Sequence, residues 1–219
     1  MKKKIAVLIP AKNEQKNIKK VILLFRKFGK VFVVDDNSDD NTSIISKKFA
    51  YKLIRSNKNL GYDRAIRYGI LNIINSKSKL DYLFTVDADG EHSTRYVKQF
   101  LKKMSKYDIV VGSRNRLNRI SEYFVSFISK IIYSVNDPLS GMKCYNYRVL
   151  KRKFYKIKND KIDYTGMFFL KIYNKKRISN INIIVNAQNK PSSFGHGFYS
   201  NLKIIKSFIN VMFKWKKFI

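Results

Sequence analysis

An apolar run that ends in two carboxylates constrains this chain most: Tyr-Leu-Phe-Thr-Val-Asp-Ala-Asp at 82–89. A strand that is apolar throughout belongs inside an α/β sheet, and such sheets bind ligands at the carboxyl ends of their strands. On an extended chain Asp87 and Asp89 project to the same side, where both stay ionised only with a cation between them. Their oxygens suit Mg²⁺ or Mn²⁺, which usually bridges to a substrate phosphate. The alternative is a pair of solvated turn acids.

Other segments repeat this pattern and set the fold class. The run 31–34 also ends in acids, Asp35 and Asp36, and the apolar run 5–9 ends at Pro10. Strands that alternate with helices predict parallel βαβ units. The predicted strands are 4–10, 31–35, 51–55, 81–87 and 108–112, and the helices between them are 14–28, 42–50, 62–75 and 93–105. After residue 114 the regularity fades into an amphipathic stretch at 119–134, a strand at 143–147, a helix at 161–174, a strand at 178–186 and a helix from 199. We therefore expect an α/β fold with a mostly parallel central sheet flanked by helices.

The charge of the chain predicts an anionic partner. Lys and Arg total 46 against 15 Asp and Glu, a formal net charge of +31. Membrane surfaces, nucleic acids and phosphorylated substrates all fit that charge. The single Cys144 excludes an intramolecular disulfide. The N-terminal apolar run is short and meets Pro10, so we predict a strand rather than a secretory signal. No stretch reaches the roughly 18 uncharged apolar residues of a membrane span.

Six segments, taken together and in order, resemble glycosyltransferase family 2. They are Ile-Pro-Ala-Lys-Asn-Glu at 9–14, Val-Asp-Asp-Asn-Ser at 34–38, Asn-Leu-Gly at 59–61, Asp-Ala-Asp-Gly-Glu-His at 87–92, Val-Gly-Ser-Arg at 111–114 and Asp-Pro-Leu-Ser-Gly at 137–141. The likeness is greatest to the dolichol-phosphate or polyprenyl-phosphate sugar transferases. It implies a GT-A (Rossmann-like) nucleotide-diphospho-sugar transferase fold. We expect a single domain over 1–219, with a nucleotide-binding half at 1–114, an acceptor side at 115–198 and a basic C-terminal helix at 199–219.

The resemblance also implies an activity and its partners. The expected enzyme is an inverting, metal-dependent transferase that moves a sugar from a nucleotide-sugar donor to a polyprenyl phosphate. It would work as a peripheral protein on the cytoplasmic membrane's inner face. One alternative is transfer to a glycan hydroxyl, with a lipid-linked glycan as acceptor in polysaccharide or lipopolysaccharide synthesis. Another is a basic α/β protein that binds nucleic acid, but acids clustered at strand ends would repel phosphate, so we do not expect nucleic acid as a partner.

The site residues follow from the resemblance position by position. The metal, Mg²⁺ or Mn²⁺, is assigned to Asp87, Asp89 and Glu91, the last standing where many relatives carry Gln. The donor nucleotide is assigned to Pro10, Lys12, Glu14, Val34, Asp36, Gly61, Asp87, Ala88 and Arg114. Lys12 replaces an aromatic residue that is common in the family. Arg114 and Asp137 are the candidate catalytic residues, with Asp137 either a general base for a hydroxyl acceptor or an orienting residue for a phosphate acceptor. Lys190 or His196 stands near the family's C-terminal phosphate-gripping motif.

Two helical stretches carry apolar stripes that are candidates for membrane contact. One stripe comprises Leu202, Ile205, Phe208, Ile209, Met212 and Trp215, with lysines mostly off it. The other comprises Ile120, Phe124, Phe127, Ile128, Ile131 and Ile132. A basic amphipathic helix with aromatic residues suits an anionic bilayer interface. Packing of either face on the protein's own core is the alternative that the sequence leaves open.

Overall fold

A single sheet organises the part of the chain that the computed structural model describes, which is residues 3–117, 119–157, 175–185 and 198–213. Its strands are β1 (Ile5–Ala11), β2 (Lys30–Asp35), β3 (Lys52–Arg55), β4 (Tyr82–Thr85), β5 (Ile109–Arg114), β6 (Lys143–Asn146) and β7 (Ile178–Ile183). They lie in the order β3-β2-β1-β4-β6-β5-β7. Neighbours run parallel except β6, which is antiparallel to both β4 and β5.

Helices cover both faces of this sheet. They are α1 (Ile18–Phe25), α2 (Thr42–Phe49), α3 (Tyr62–Asn75), α4 (Val97–Lys103), α5 (Ile120–Tyr133), α6 (Tyr147–Ile157) and α7 (Phe198–Phe213), with 3₁₀ turns at Thr94–Tyr96 and Lys175–Arg177. Leu8 of β1 belongs to the core layer that α3 covers, whereas Val7 and Ile9 belong to the layer beneath α1 and α4. Because both faces of β1 are buried, its sequence is apolar throughout rather than alternating.

The structure confirms the α/β class and the mostly parallel sheet. The alternating strands and helices up to residue 114 are present, with ends that differ by up to four residues from the prediction. Helix α6 was not predicted, and the helix expected at 161–174 lies outside the described residues. Among the helices of the described part, none combines the length and apolar character that crossing a bilayer requires.

The antiparallel strand β6 positions the later half of the chain at the ligand-binding edge. Since β6 runs against its neighbours, its amino end lies at the carboxyl ends of β4 and β5. Lys143, its first residue, is paired with Thr85 of β4 and with Val111 of β5. The preceding loop at 137–141 is thereby delivered to the edge where Asp87 and Arg114 lie.

Candidate active site

Asp87 is held in place by contacts from three segments of the chain. The Tyr62 hydroxyl donates a hydrogen bond to Asp87 Oδ1 at 2.6 Å. The Asp87 N–H donates to His92 Nδ1 at 3.1 Å, and His92 Nε2 lies 3.8 Å from Asp87 Oδ2. Gly141 passes so close to the carboxylate that a Cβ at that position would collide with it. Strand β4 ends at Thr85, two residues earlier than predicted, and the Asp87 N–H bonds this histidine instead of a neighbouring strand.

The acidic residues after β4 therefore lie in a turn. The prediction that Asp87 and Asp89 project to the same side of an extended strand is wrong in this respect. Asp89 Oδ1 accepts a hydrogen bond from the Glu91 N–H at 3.0 Å, and Gly90 between them has φ +85°. Within the described residues, no three His, Cys, Asp or Glu side chains are grouped so as to hold a metal ion. The assignment of Asp87, Asp89 and Glu91 to a metal therefore stays a prediction.

Arg114 and Asp137 form a two-pronged ion pair at the end of β5. Arg114 Nε donates to Asp137 Oδ2 at 2.7 Å and Arg114 Nη2 donates to Oδ1 at 3.1 Å. The Arg114 backbone N–H also donates to Oδ2, at 3.2 Å. Such fork geometry fixes the guanidinium in one orientation. Both predicted catalytic residues are therefore in one place, and both oxygens of the Asp137 carboxylate are engaged by Arg114.

A second carboxylate, from the buried side of α5, extends this pair into a cluster. Glu122 accepts from Arg114 Nη2 at 3.3 Å and from Arg119 Nη1 at 2.6 Å. Burial lowers the pKa of Arg114, but attraction by Asp137, its hydrogen bonds and then Glu122 outweigh that effect and raise the pKa. Arg114 is thus charged throughout the physiological range.

The nucleotide-side candidates occupy the ends of β1 and β2. The Asp36 carboxylate accepts from the backbone N–H groups of Leu60 and Gly61 at 2.6 and 2.8 Å, so it shapes the turn that opens α3. Gly61 has φ +81°, a conformation that favours glycine. Asp35, in contrast, is fully buried and accepts from the Ser38 N–H at 3.1 Å and from the Ser43 hydroxyl.

The other predicted donor-site residues divide into exposed and buried ones. Lys12 is exposed, and the backbone N–H of Glu14 donates to Thr42 Oγ1 at 2.8 Å. Pro10 and Ala88 are buried beside the edge. The Val34 side chain lies in the core, where a Cβ on Gly69 would meet it. Any contact from Val34 to a nucleoside would therefore come from its main chain.

Two buried basic residues complete the site. His92 belongs to the motif at 87–92, whereas Lys143 was not selected from the sequence. Burial lowers the pKa of His92, and Asp87 offsets this only in part, so the ring is neutral with its proton on Nε2. Lys143 Nζ donates to the Ser140 carbonyl. The signal that would have identified Lys143 is its position at the start of a short predicted strand, which the structure shows to be mostly buried.

Comparison with known proteins identifies the family. The sequence profile described as Glycosyl transferase family 2 matches residues 6–169. The chain belongs to this family. An uncharacterised protein of Methanocaldococcus jannaschii is 32% identical over 185 residues, which cover 77% of this chain and 75% of that protein. The UDP-N-acetylglucosamine–dolichyl-phosphate N-acetylglucosaminyltransferase of Methanococcus voltae is 28% identical over 182 residues, covering 68% of this chain and 72% of that enzyme.

Solved structures agree on the fold of this family 2 glycosyltransferase. Glucosyl-3-phosphoglycerate synthase from Mycobacterium tuberculosis, in complex with Mn²⁺, UDP and glucosyl-3-phosphoglycerate, superposes with a TM-score of 0.71 at 16% identity, over 97% of this chain and 79% of that one. Mannosyl-3-phosphoglycerate synthase from Rubrobacter xylanophilus gives 0.70 at 12% identity, over 97% and 75%. The GT-A fold expected from the sequence is confirmed.

Proposed function

We propose that this glycosyltransferase moves a sugar from a nucleotide-sugar donor to a polyprenyl phosphate at an anionic membrane surface, on the cytoplasmic membrane's inner face. The donor would lie along the carboxyl ends of β1, β2 and β4. Its base side would meet the turn that Asp36 builds, and its diphosphate would lie near Asp87, Asp89 and Arg114. The relatives support a uridine donor, since the M. voltae enzyme is named for UDP-N-acetylglucosamine and the M. tuberculosis structure holds UDP.

The acidic turn fits a divalent ion that is shared with a substrate. Mg²⁺ and Mn²⁺ at such sites usually take one or two carboxylates together with substrate phosphates and water, so a three-carboxylate cage is not required. Asp87 and Asp89 would supply these ligands, and a bound ion would neutralise charge on the departing diphosphate. Tyr62 and His92 keep Asp87 in place. Burial and Asp87 itself raise the pKa of Tyr62, so its hydroxyl stays a donor.

The environment of Asp137 supports a phosphate acceptor over a hydroxyl acceptor. A sugar hydroxyl must lose its proton to a general base. Asp137 is buried and both its oxygens accept hydrogen bonds from Arg114. A phosphate monoester is already ionised at neutral pH and needs no base. Asp137 would then orient Arg114. Since the bonds of Arg114 to Asp137 and Glu122 in the described residues use Nε and Nη2, its Nη1 hydrogens would donate to phosphate oxygens.

The two faces of α5 carry this proposal. Its inward face presents Glu122, which holds Arg114. Its outward face is apolar and exposed: Ile120 is 84% exposed, Tyr123 59%, Phe124 49%, Phe127 66% and Ile131 63%. Burying each such side chain in a bilayer interface contributes on the order of 1.5–3 kcal/mol. Docked this way, one helix would bring the phosphate-binding arginine to the membrane surface where a lipid-linked acceptor resides.

Product analysis tests the proposal. Purified protein is incubated with UDP-N-acetylglucosamine, UDP-glucose or other nucleotide sugars, Mn²⁺ or Mg²⁺, and a polyprenyl phosphate in anionic vesicles. Mass spectrometry should show one sugar on the lipid phosphate, and chelator or Asp89→Ala should reduce the product by orders of magnitude. Arg114→Ala and Asp36→Ala should weaken UDP binding in calorimetry. Product on a glycan hydroxyl alone, or full activity in chelator, would contradict the proposal.

A further inference from the structure

Lys143 is a buried lysine at the centre of the site, and neither the motifs nor the family comparison gives it a role. Only 5% of the residue is exposed, because β6 places it between β4 and β5. Its ammonium donates to the Ser140 carbonyl. A charged lysine is almost never buried without compensation, so the surrounding carboxylates must account for its presence.

The loop at 137–141 is fixed from beneath at three points, one of which is Lys143. The Lys143 ammonium holds the Ser140 carbonyl, and the Thr85 hydroxyl donates to the Gly141 carbonyl at 2.8 Å. The third point is the close contact between Gly141 and the Asp87 carboxylate. The loop therefore begins at Asp137 and ends at Gly141, which contacts Asp87, and the Lys143 ammonium bonds the loop between these two residues.

Lys143 adds a buried positive charge to a site that is rich in carboxylates. Arg114 is paired with Asp137, and Arg119 with Glu122. Asp87 and Asp63 add further negative charges that attract Lys143. Burial lowers the pKa of Lys143 to about 8, against the attraction of Asp137, Asp87 and Asp63, with Arg114 lowering it further.

We propose that Lys143 is a positioning residue that offsets part of the negative charge of Asp87 and Asp137 from inside the protein and holds the loop at 137–141 against Asp87. This inference rests on the proposed function, because it assumes that a donor diphosphate enters beside these carboxylates. With the lysine charged, an anionic diphosphate approaches a site that is one charge less negative. Without it, the same site carries one additional negative charge.

Removal of this charge has a consequence that loss of packing does not share. Lys143→Met keeps the length of the side chain and deletes its positive charge. An uncompensated carboxylate attracts cations and repels phosphates. The variant should therefore bind Mn²⁺ alone more tightly and UDP alone more weakly. Damage to the fold would weaken both.

The experiment measures the two affinities separately. Mn²⁺ binding is followed by electron paramagnetic resonance and UDP binding by calorimetry, each ligand alone and then both together, at pH 7. For Lys143→Met we expect the Mn²⁺ dissociation constant to fall and the UDP constant to rise, each by roughly tenfold. Lys143→Arg, which retains the charge, should stay closer to wild type in both. Circular dichroism melting identifies variants that do not fold, and Lys143→Gln then replaces Lys143→Met.

Lys103→Met is the matched control. Lys103 Nζ also donates to a main-chain carbonyl, that of Asn180 at 2.7 Å, and to Ser179 Oγ at 3.0 Å, but on the other side of the sheet from α5. Lys103→Met should leave the affinities for Mn²⁺ and for UDP unchanged. Equal weakening of Mn²⁺ and UDP in Lys143→Met, or no change in either, would overturn the inference. A wild type that binds both ligands but does not glycosylate polyprenyl phosphate contradicts the proposed acceptor alone, and one that binds neither contradicts both proposals.

Discussion

The absence of a side chain at Gly141 lets the loop at 137–141 lie directly on Asp87. A Cβ at position 141 would overlap the carboxylate oxygens. Gly141→Ala should therefore displace Asp87, and overpacking of this kind costs about 1–3 kcal/mol of folding free energy. We expect the melting temperature to fall and binding of UDP with Mn²⁺ to weaken at least roughly tenfold.

The control for this prediction is a double-mutant cycle. In an Asp87→Ala background the obstructing carboxylate is gone, so Gly141→Ala should cause little further loss of stability. Additive losses of melting temperature in the two variants would show that Gly141 acts through its backbone and not through Asp87.

The bidentate pair predicts how Asp137 acts. Asp137→Asn keeps the shape but removes the charge that holds Arg114, so we expect transfer to fall by roughly ten- to a hundredfold. The pH profile of kcat/KM should keep its acidic limb, since no proton passes to Asp137. In an Arg114→Ala background, Asp137→Asn should cost little more. A lost acidic limb with Arg114 intact would instead establish Asp137 as a base.

At this scale the sequence located the residues but not their partners. Asp87 and Arg114 were expected at the carboxyl edge of the sheet, and they lie there, joined by Asp137 of the loop at 137–141. That Asp137 grips Arg114, 23 positions away, is a tertiary contact that no local pattern encodes. Lys143 was missed for the same reason, because its importance comes from burial beside carboxylates supplied by other segments.

The helices α5 and α7 carry similar apolar spacing, yet the two stripes differ in how far they are buried. The side of α5 that packs inward bears Ser121, Glu122, Ser126 and Ser129 around Val125, and its large apolar residues point outward. In α7, Ile204 and Phe208 enter the core, whereas Leu202 and Ile209 of the stripe are exposed. Of the two alternatives that the sequence left open for Phe208, packing on the core is therefore the one that the structure shows. The side chain of Met212 and the whole of Trp215 lie outside the described residues. Periodicity identifies an apolar face but not what covers it.

The exposed face of α5 predicts a variant that folds normally but leaves the membrane. Phe127→Gln with Ile131→Gln replaces two side chains that are 66% and 63% exposed, so stability should be unchanged. Partition onto anionic vesicles should fall at least roughly tenfold in a sedimentation assay, because each lost contact is worth about 1.5–3 kcal/mol. Ile44→Gln, equally exposed at 69% on α2, is the control and should bind like wild type.

Phe208→Ala tests an apolar residue of α7 that is buried instead of exposed. Phe208 is buried among core residues, so its truncation should lower the free energy of unfolding by roughly 3–5 kcal/mol. Chemical denaturation measures this loss. The folded fraction should partition onto vesicles as wild type does. A variant that is as stable as wild type but no longer binds vesicles would show that Phe208 contacts the membrane.

For the molecule as a whole, the sequence predicted the sheet where alternation was regular. Strands β1 to β5 and the helices between them follow from apolar runs bounded by polar turns. The antiparallel insertion of β6 was not predicted, since strand order depends on long-range pairing. Helix α6 was missed because its lysines and arginines obscure the spacing of Tyr147, Leu150 and Phe154, which are buried. The single domain over 1–219 stays a prediction.

The net charge of +31 does not by itself determine which surface meets a membrane. A cleft at the opposite edge of the sheet is lined by basic side chains, namely those of Lys3, Lys4, Arg26, Lys27, Lys30 and Lys79. This cleft would also attract anionic lipid, over the roughly 8–10 Å at which charges act at physiological salt. The apolar face of α5 is what favours one orientation over the other.

Orientation on the bilayer is therefore the last prediction. Because Cys144 is buried, a fluorophore attached through Tyr123→Cys on α5 or Ser78→Cys beside the basic cleft reports one surface at a time. On anionic vesicles that contain brominated lipid, the α5 label should be quenched and the cleft label should not. High salt should release the protein, since each nearby Lys or Arg contributes about 1 kcal/mol of electrostatic attraction. Added duplex DNA should compete for the charge without displacing UDP. Quenching of the cleft label alone would mean that charge governs docking and that α5 serves a different partner.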